Sequence, residues 1–229
     1  MKTSNFSILI LVMAFIVSSC SGVKVVDSWT GDNVSTIKNK NILVIARTAN
    51  NQARIAFEQE ISAQLRAKGL KATESFKELP HIDPDRKLSE EETKNLAATI
   101  KREGYNAVVL SVIKDYQEST QTTTDGGYYA GGTYGGYGWG GLYPGYYGGF
   151  GGYYSHPIGY VGTGVYTPMT SSTRIVKDYV LETVTYNLDE PDGKQLIAVV
   201  TTKIEDPQSM SKNAKEYSEK IMKALEKKK

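Results

Sequence analysis

Few residues in this 229-residue chain have the types and spacings that do chemistry. His81 and His156 are far apart, and neither stands in metal-ligand spacing, so both read as surface residues. Glu90, Glu91 and Glu92 resemble paired carboxylates, but the positive end of a helix dipole explains three acids at a helix start. Asp189, Glu190 and Asp192 flank Pro191 and precede Gly193, which is turn chemistry. Gly136-Tyr-Gly-Trp-Gly-Gly141 has the form of a dinucleotide fingerprint. It neither follows a clear strand nor opens a helix, so it implies no phosphate site. A nucleophile needs a base and an orienting group, and no such set stands out. Cys20 is the one cysteine, which excludes an internal disulfide framework and a cysteine-based zinc site. The expectation is a protein that is not an enzyme, with no catalytic residues, no metal and no cofactor. A formal net charge of +2 gives no broad footprint for a phosphate backbone, so nucleic acid is not an expected partner.

The amino terminus carries the clearest signal. Lys2 precedes the apolar run Ile8–Val17. As helix, ten residues rise about 15 Å, half of the ~30 Å hydrocarbon core, which suits an export signal and not a spanning segment. The run ends in Val17-Ser-Ser-Cys20. This resembles the lipobox of bacterial lipoproteins, in which a branched apolar residue and two small residues precede the cysteine that is lipidated. The resemblance implies a signal peptide over 1–19, cleavage before Cys20, and acylation of its thiol and new amino group. Two or more acyl chains anchor stably, at ~0.8 kcal/mol per buried methylene. By the same resemblance, Ser21 in place of Asp favours the outer membrane. The absence of an acidic stretch after Cys20 favours its periplasmic face.

Residues 20–40 read as the lipidated cysteine and a tether, with one apolar foothold at Val25–Trp29. Extended, some twenty residues span ~70 Å. Beyond it, Asn41–Ala46 is a short, β-branched apolar run, the pattern of a strand covered on both faces. Asn51 is a candidate cap for a helix over Gln52–Lys68 that turns Phe57, Ile61 and Leu65 inward and stops at Gly69. Leu70–Phe76 reads as a weaker strand. Ser89 and Glu92 form a capping box for a helix presenting Leu96, Ala97 and Ile100 and stopping at Gly104. Ala107–Ile113 is the clearest central strand. Arg174–Leu188 alternates, with Val176, Val180, Val184 and Leu188 on one side. The turn at 189–193 joins it to a strand over Gln195–Ile204. Asp206-Pro207 ends that strand, and Ser209 or Ser211 starts a last helix with Ala214, Tyr217, Ile221 and Leu225 inward. Two crossovers require a partly parallel sheet. The expected fold is α/β with a mixed, α+β-like sheet, in the order β-α-β-α-β-(Gly/Tyr loop)-β-β-α. One domain is thus built from 41–125 and 174–229.

Residues 126–173 interrupt that domain. They contain no Asp, Glu, Lys or Arg, yet hold 17 of the 22 Gly and 11 of the 16 Tyr. Glycine at this density opposes helix and regular strand, which predicts a largely disordered loop. Closing a loop this long instead of an 8-residue one costs only ~1.6 kcal/mol. The polar, β-prone flanks at 122–124 and 171–173 predict that the neighbouring strands extend outward as a hairpin with this segment at the tip. Tyr134, Tyr137, Trp139, Tyr143, Tyr146, Tyr147, Phe150, Tyr153 and Tyr154 are candidate interaction residues, since such side chains offer flat apolar faces with a polar handle. A spacer without further role, docking of a partner, self-association and stacking on glycans all fit that composition.

The lipobox, Val26-Asp-Ser-Trp29, the Asn41–Ala46 strand, the Gly/Tyr insertion and the closing hairpin plus helix resemble a group of uncharacterised Gram-negative lipoproteins. More distantly, the element order is similar to the amino-terminal domain of the TolB periplasmic protein and to the lipoprotein activator of penicillin-binding proteins. These resemblances imply a periplasmic interaction module with an unidentified envelope protein or glycan as partner, and no family active site. Alternatives are a glycan- or peptidoglycan-binding lipoprotein and a self-associating envelope protein.

Overall fold

The structure, a computed structural model, describes residues 22–81, 86–122, 173–207 and 209–226. The chain folds as a mixed α/β domain in the order β1 (Val23–Thr30), β2 (Asn41–Arg47), α1 (Asn51–Ala67), β3 (Lys71–Glu74), α2 (Glu90–Arg102), β4 (Ala107–Thr122), β5 (Thr173–Asn187), β6 (Leu196–Glu205) and α3 (Met210–Glu226). The six strands form one sheet in the order β1-β6-β5-β4-β2-β3. β2 runs parallel to β3 and β4, while β4-β5, β5-β6 and β1-β6 are antiparallel.

Alternation along the central strands divides the core in two. Leu43 and Ile45 of β2 and Val108 and Leu110 of β4 pack with Leu96, Ala97 and Ile100 of α2. Ile42, Val44 and Val109 point the other way, onto Ile61 and Leu65 of α1 and Tyr217 and Ile221 of α3. The sheet is therefore sandwiched between α2 and the side-by-side pair α1 and α3. Sequence signals account for the helix ends. Ser89 and Glu92 form the reciprocal capping box. Gly69 and Gly104, at φ +79° and +88°, take the left-handed conformation that closes α1 and α2. Leu70 N–H and Tyr105 N–H then reach back to the carbonyls of Leu65 and Ile100, the pairing expected of such a glycine stop.

Three expectations need correction. Residues 23–39, within the expected tether, hold a strand and a 3-10 helix: β1 pairs with β6 from Val23↔Ile204 to Thr30↔Ala198, and Asp32–Asn39 follows as the 3-10 turn. A bulge between Val25 and Asp27 breaks the alternation, so Val25 and Val26 are exposed while Val23 is fully buried. The cap of α1 is Asn50, not Asn51. Its side-chain oxygen accepts the N–H of Ala53 at 3.1 Å. β3 is shorter than Leu70–Phe76 because Ser75 Oγ and Phe76 N–H turn aside to donate to Glu58.

β4 runs on beyond the apolar pattern of Ala107–Ile113, while β5 matches the expected Arg174–Leu188 to within one residue at each end. They stay paired to Thr122↔Thr173, well past the last β2 partner at Val112, and form a two-stranded arm. A bulge between Ile113 and Asp115 bends the strand where the arm leaves the sheet. The expected outward hairpin is present. Residues 126–172 of the insertion with its candidate aromatics, His156, the Gly136–Gly141 stretch, Cys20 and the signal segment all lie outside the described residues.

Candidate functional site

The crossover from β2 through α1 goes to β3 on one side of β2. The next, through α2, brings the chain to β4 on the other side. Where successive crossovers diverge, the covering helices leave a crevice at the carboxyl ends of the two strands, and α/β folds bind ligands there. A cleft of about 570 Å³ occupies that place. Ala46 and Arg47 from β2, Ser111 to Ile113 from β4, and Ala53 and Phe57 from α1 form one side. Ile175, Lys177, Tyr179 and Leu181 from β5, Ile204 from β6, and Met210 and Asn213 from α3 form the other.

The walls are held by two polar systems. Glu58 is fully buried. One of its oxygens accepts Ala46 N–H at 3.0 Å, Arg54 Nε at 3.1 Å and Ser75 Oγ at 2.8 Å, and the other accepts Phe76 N–H at 2.8 Å. Arg54, itself buried, also donates to Ser75 Oγ and the Leu79 carbonyl. This network locks the end of β2 to α1 and to the turn after β3. Joining the two sides, Ser111, Thr183 and Tyr217 are linked by hydroxyl contacts of 2.7 Å each. Burial pushes the Tyr217 phenol up from its ordinary value. Its ring meets Phe57 edge-on, centroids 5.0 Å apart, which fixes α3 against α1.

The rim is set where β6 gives way to α3. Asp206 takes φ +43°, a left-handed conformation that Asp tolerates better than most residues. Its N–H donates to the Lys177 carbonyl, and its carboxylate pairs with Arg174 at 2.6 Å. The arm is thereby pinned beside the cleft. Lys177 in turn reaches Glu118 at 3.0 Å, whose hydrogen bond and charge hold the ammonium above its usual range. Tyr116 and Tyr179 stack across the arm at 4.9 Å. On the opposite face, Lys114 lies 3.4 Å from Glu182, and burial keeps the Asp115 carboxyl above its ordinary value despite a bond from Gln117.

The residues weighed from sequence do not gather at the cleft. His81 is exposed and meets the Thr48 carbonyl at 3.0 Å. Glu92 serves the capping box, with Ser89 N–H holding its carboxyl below the usual range. Asp189 bonds Lys40 and Asn106 at the other end of the sheet. Among the described residues no cluster of three or more His, Cys, Asp or Glu could hold a metal ion. No helix among them is long and apolar enough to cross a membrane. The arrangement at the cleft is an apolar concavity with a few polar groups, which is binding chemistry. In the sequence, periodicity marks Phe57 only as core, and nothing local marks Asn213, Ile175 or Met210. The diverging crossovers were the signal that could have found them.

No family model matches the chain, and no curated protein matches it. Among solved structures, the PelC dodecamer from Paraburkholderia phytofirmans in space group P6 aligns at 9% identity and TM-score 0.42, covering 90% of this chain and 99% of that one. A variant of the same dodecamer in space group C2 gives 9% identity and TM-score 0.40, covering 90% and 98%. A likeness at that level carries neither fold nor function to this chain.

Proposed function

We propose that this chain is a lipid-anchored cell-envelope protein, held by acyl groups on Cys20 at the periplasmic face of the outer membrane. Its α/β domain serves there as a non-catalytic module that docks another envelope component. The supporting observation is a convergence at one end of the sheet. β1 runs antiparallel to β6, and β6 runs parallel to β4 through β5. The start of β1 therefore lies at the carboxyl ends of β2, β4 and β6, the end that carries the cleft and the arm. Gly22 is fastened there, its carbonyl accepting Glu205 N–H at 2.8 Å. Cys20 is two residues away, no more than ~7 Å of chain. A lipid on Cys20 brings the cleft and the base of the arm to the bilayer surface. A free tether would let them range ~70 Å away from it.

The test is cross-linking in intact cells, with the complete chain and with residues 126–173 deleted. A reproducible adduct with one envelope component is expected for the complete chain. Weakening of that adduct by the deletion assigns the contact to the aromatic segment, and persistence assigns it to the domain. No reproducible adduct from either chain contradicts the reading.

A further inference from the structure

The cleft carries two features that its own walls do not explain. Ile175 and Met210 stand at its rim 61% and 37% exposed, although an apolar rim around a concavity marks a surface meant to be covered. The side-chain nitrogen of Asn213 is buried and has no hydrogen-bond partner among the described residues. Asn213 is only 8% exposed and lines the cleft in the first turn of α3. A buried amide donor left unmatched is costly, and an acceptor atom on a bound molecule removes that cost. The first turns of α1 and α3 both border the cleft, and the positive ends of the two helix dipoles favour a negative group there. A volume of about 570 Å³ lies in the range of small-molecule sites.

We propose that the cleft takes one long acyl chain with an acidic head. The hydrocarbon lies along Phe57, Ile204 and Ile175, and the oxygens of the head meet Asn213 and the first turns of the two helices. A sugar is a poor occupant, because its hydroxyls have few partners on such apolar walls. The acyl assignment deepens the proposed function, on which it rests only for the source of the chain, the adjacent bilayer.

The full chain is reconstituted in vesicles of phosphatidylethanolamine and phosphatidylglycerol. One preparation contains diazirine-tagged palmitate, and the other contains phosphatidylglycerol with a diazirine-tagged acyl chain. After photolysis, label is expected on the peptides carrying Phe57 and Met210. The probe that delivers it distinguishes a free fatty acid from a phospholipid. Ala53→Trp fills the cleft from a half-buried helix position and should cut that label at least about tenfold. Asn213→Leu keeps the shape, removes the donor, and should weaken labelling by the palmitate probe. Label scattered over the domain, or unchanged in both variants, overturns the proposal. Palmitate labelling of the Cys20→Ala chain is scored separately from its membrane attachment. Failure of the anchor and failure of the cleft are thus told apart.

Discussion

Glu58→Gln is expected to destabilise the domain by about 3–5 kcal/mol, the usual cost of removing one partner from a buried ion pair. In a domain of this size that lowers the melting temperature by ~10 °C. The substitution leaves no cavity, so the loss is electrostatic. Arg54, buried with its Nε 3.1 Å from the carboxylate, keeps its charge and loses its counterion. The amide that replaces the carboxylate also turns a donor toward groups that are themselves donors: Ala46 N–H, Ser75 Oγ or Phe76 N–H. Because Ala46 belongs to the cleft wall, the same change loosens the site. Urea unfolding of Glu58→Gln, Arg54→Met and the double variant gives the coupling, which neighbours in one network show and independent sites lack. The double variant should cost clearly less than the two single costs together. A loss below ~1 kcal/mol for Glu58→Gln, the level of one ordinary hydrogen bond, would mean that the network does not hold β2 in place.

Val23→Asp is the second large effect. Val23 is fully buried, in the cluster that α3 shares with Ile204. Burying a valine is worth roughly 1.5–3 kcal/mol, and a carboxylate in its place adds an uncompensated charge. The chain has a way out, since among the described residues β1 is an edge strand paired only with β6. The cost is therefore capped at the free energy of releasing that strand. The expected result is a domain that stays folded but exposes residues 23–40 to protease, whereas the parent chain resists cleavage there. Equal cleavage of both chains in that stretch would restore the tether reading and remove the short link between Cys20 and the cleft.

Those two residues also show what one sequence reveals and what it hides. Local signals were legible: the Ser89/Glu92 box, the stops at Gly69 and Gly104, and the β-branched run of β2 each act within a turn or a strand. Their outcome depends little on the rest of the chain. β1 was not legible because its bulge at Val25–Asp27 destroys the alternation by which a half-buried strand is recognised. Arg54 and Glu58 have i,i+4 spacing on a helix, a pattern that carries no mark of burial. They are buried because the turn after β3 folds over them, a contact 17 residues away for Ser75. The length of the arm was hidden by its polar composition, Lys114 to Thr122, in which pairing with β5 takes the place of apolar burial. The cleft draws on four stretches that strand order alone brings together. Without that order, Ile175 and Met210 have no reason to be connected.

We propose that acyl groups on Cys20 hold this domain at a membrane. The direct measurement is metabolic labelling with an alkyne fatty acid, followed by membrane sedimentation, for the parent chain and for Cys20→Ala. The parent chain is expected to take up label and to sediment with the outer membrane, and Cys20→Ala to lose both properties. A parent chain without label, or a Cys20→Ala chain that sediments as the parent does, would contradict it.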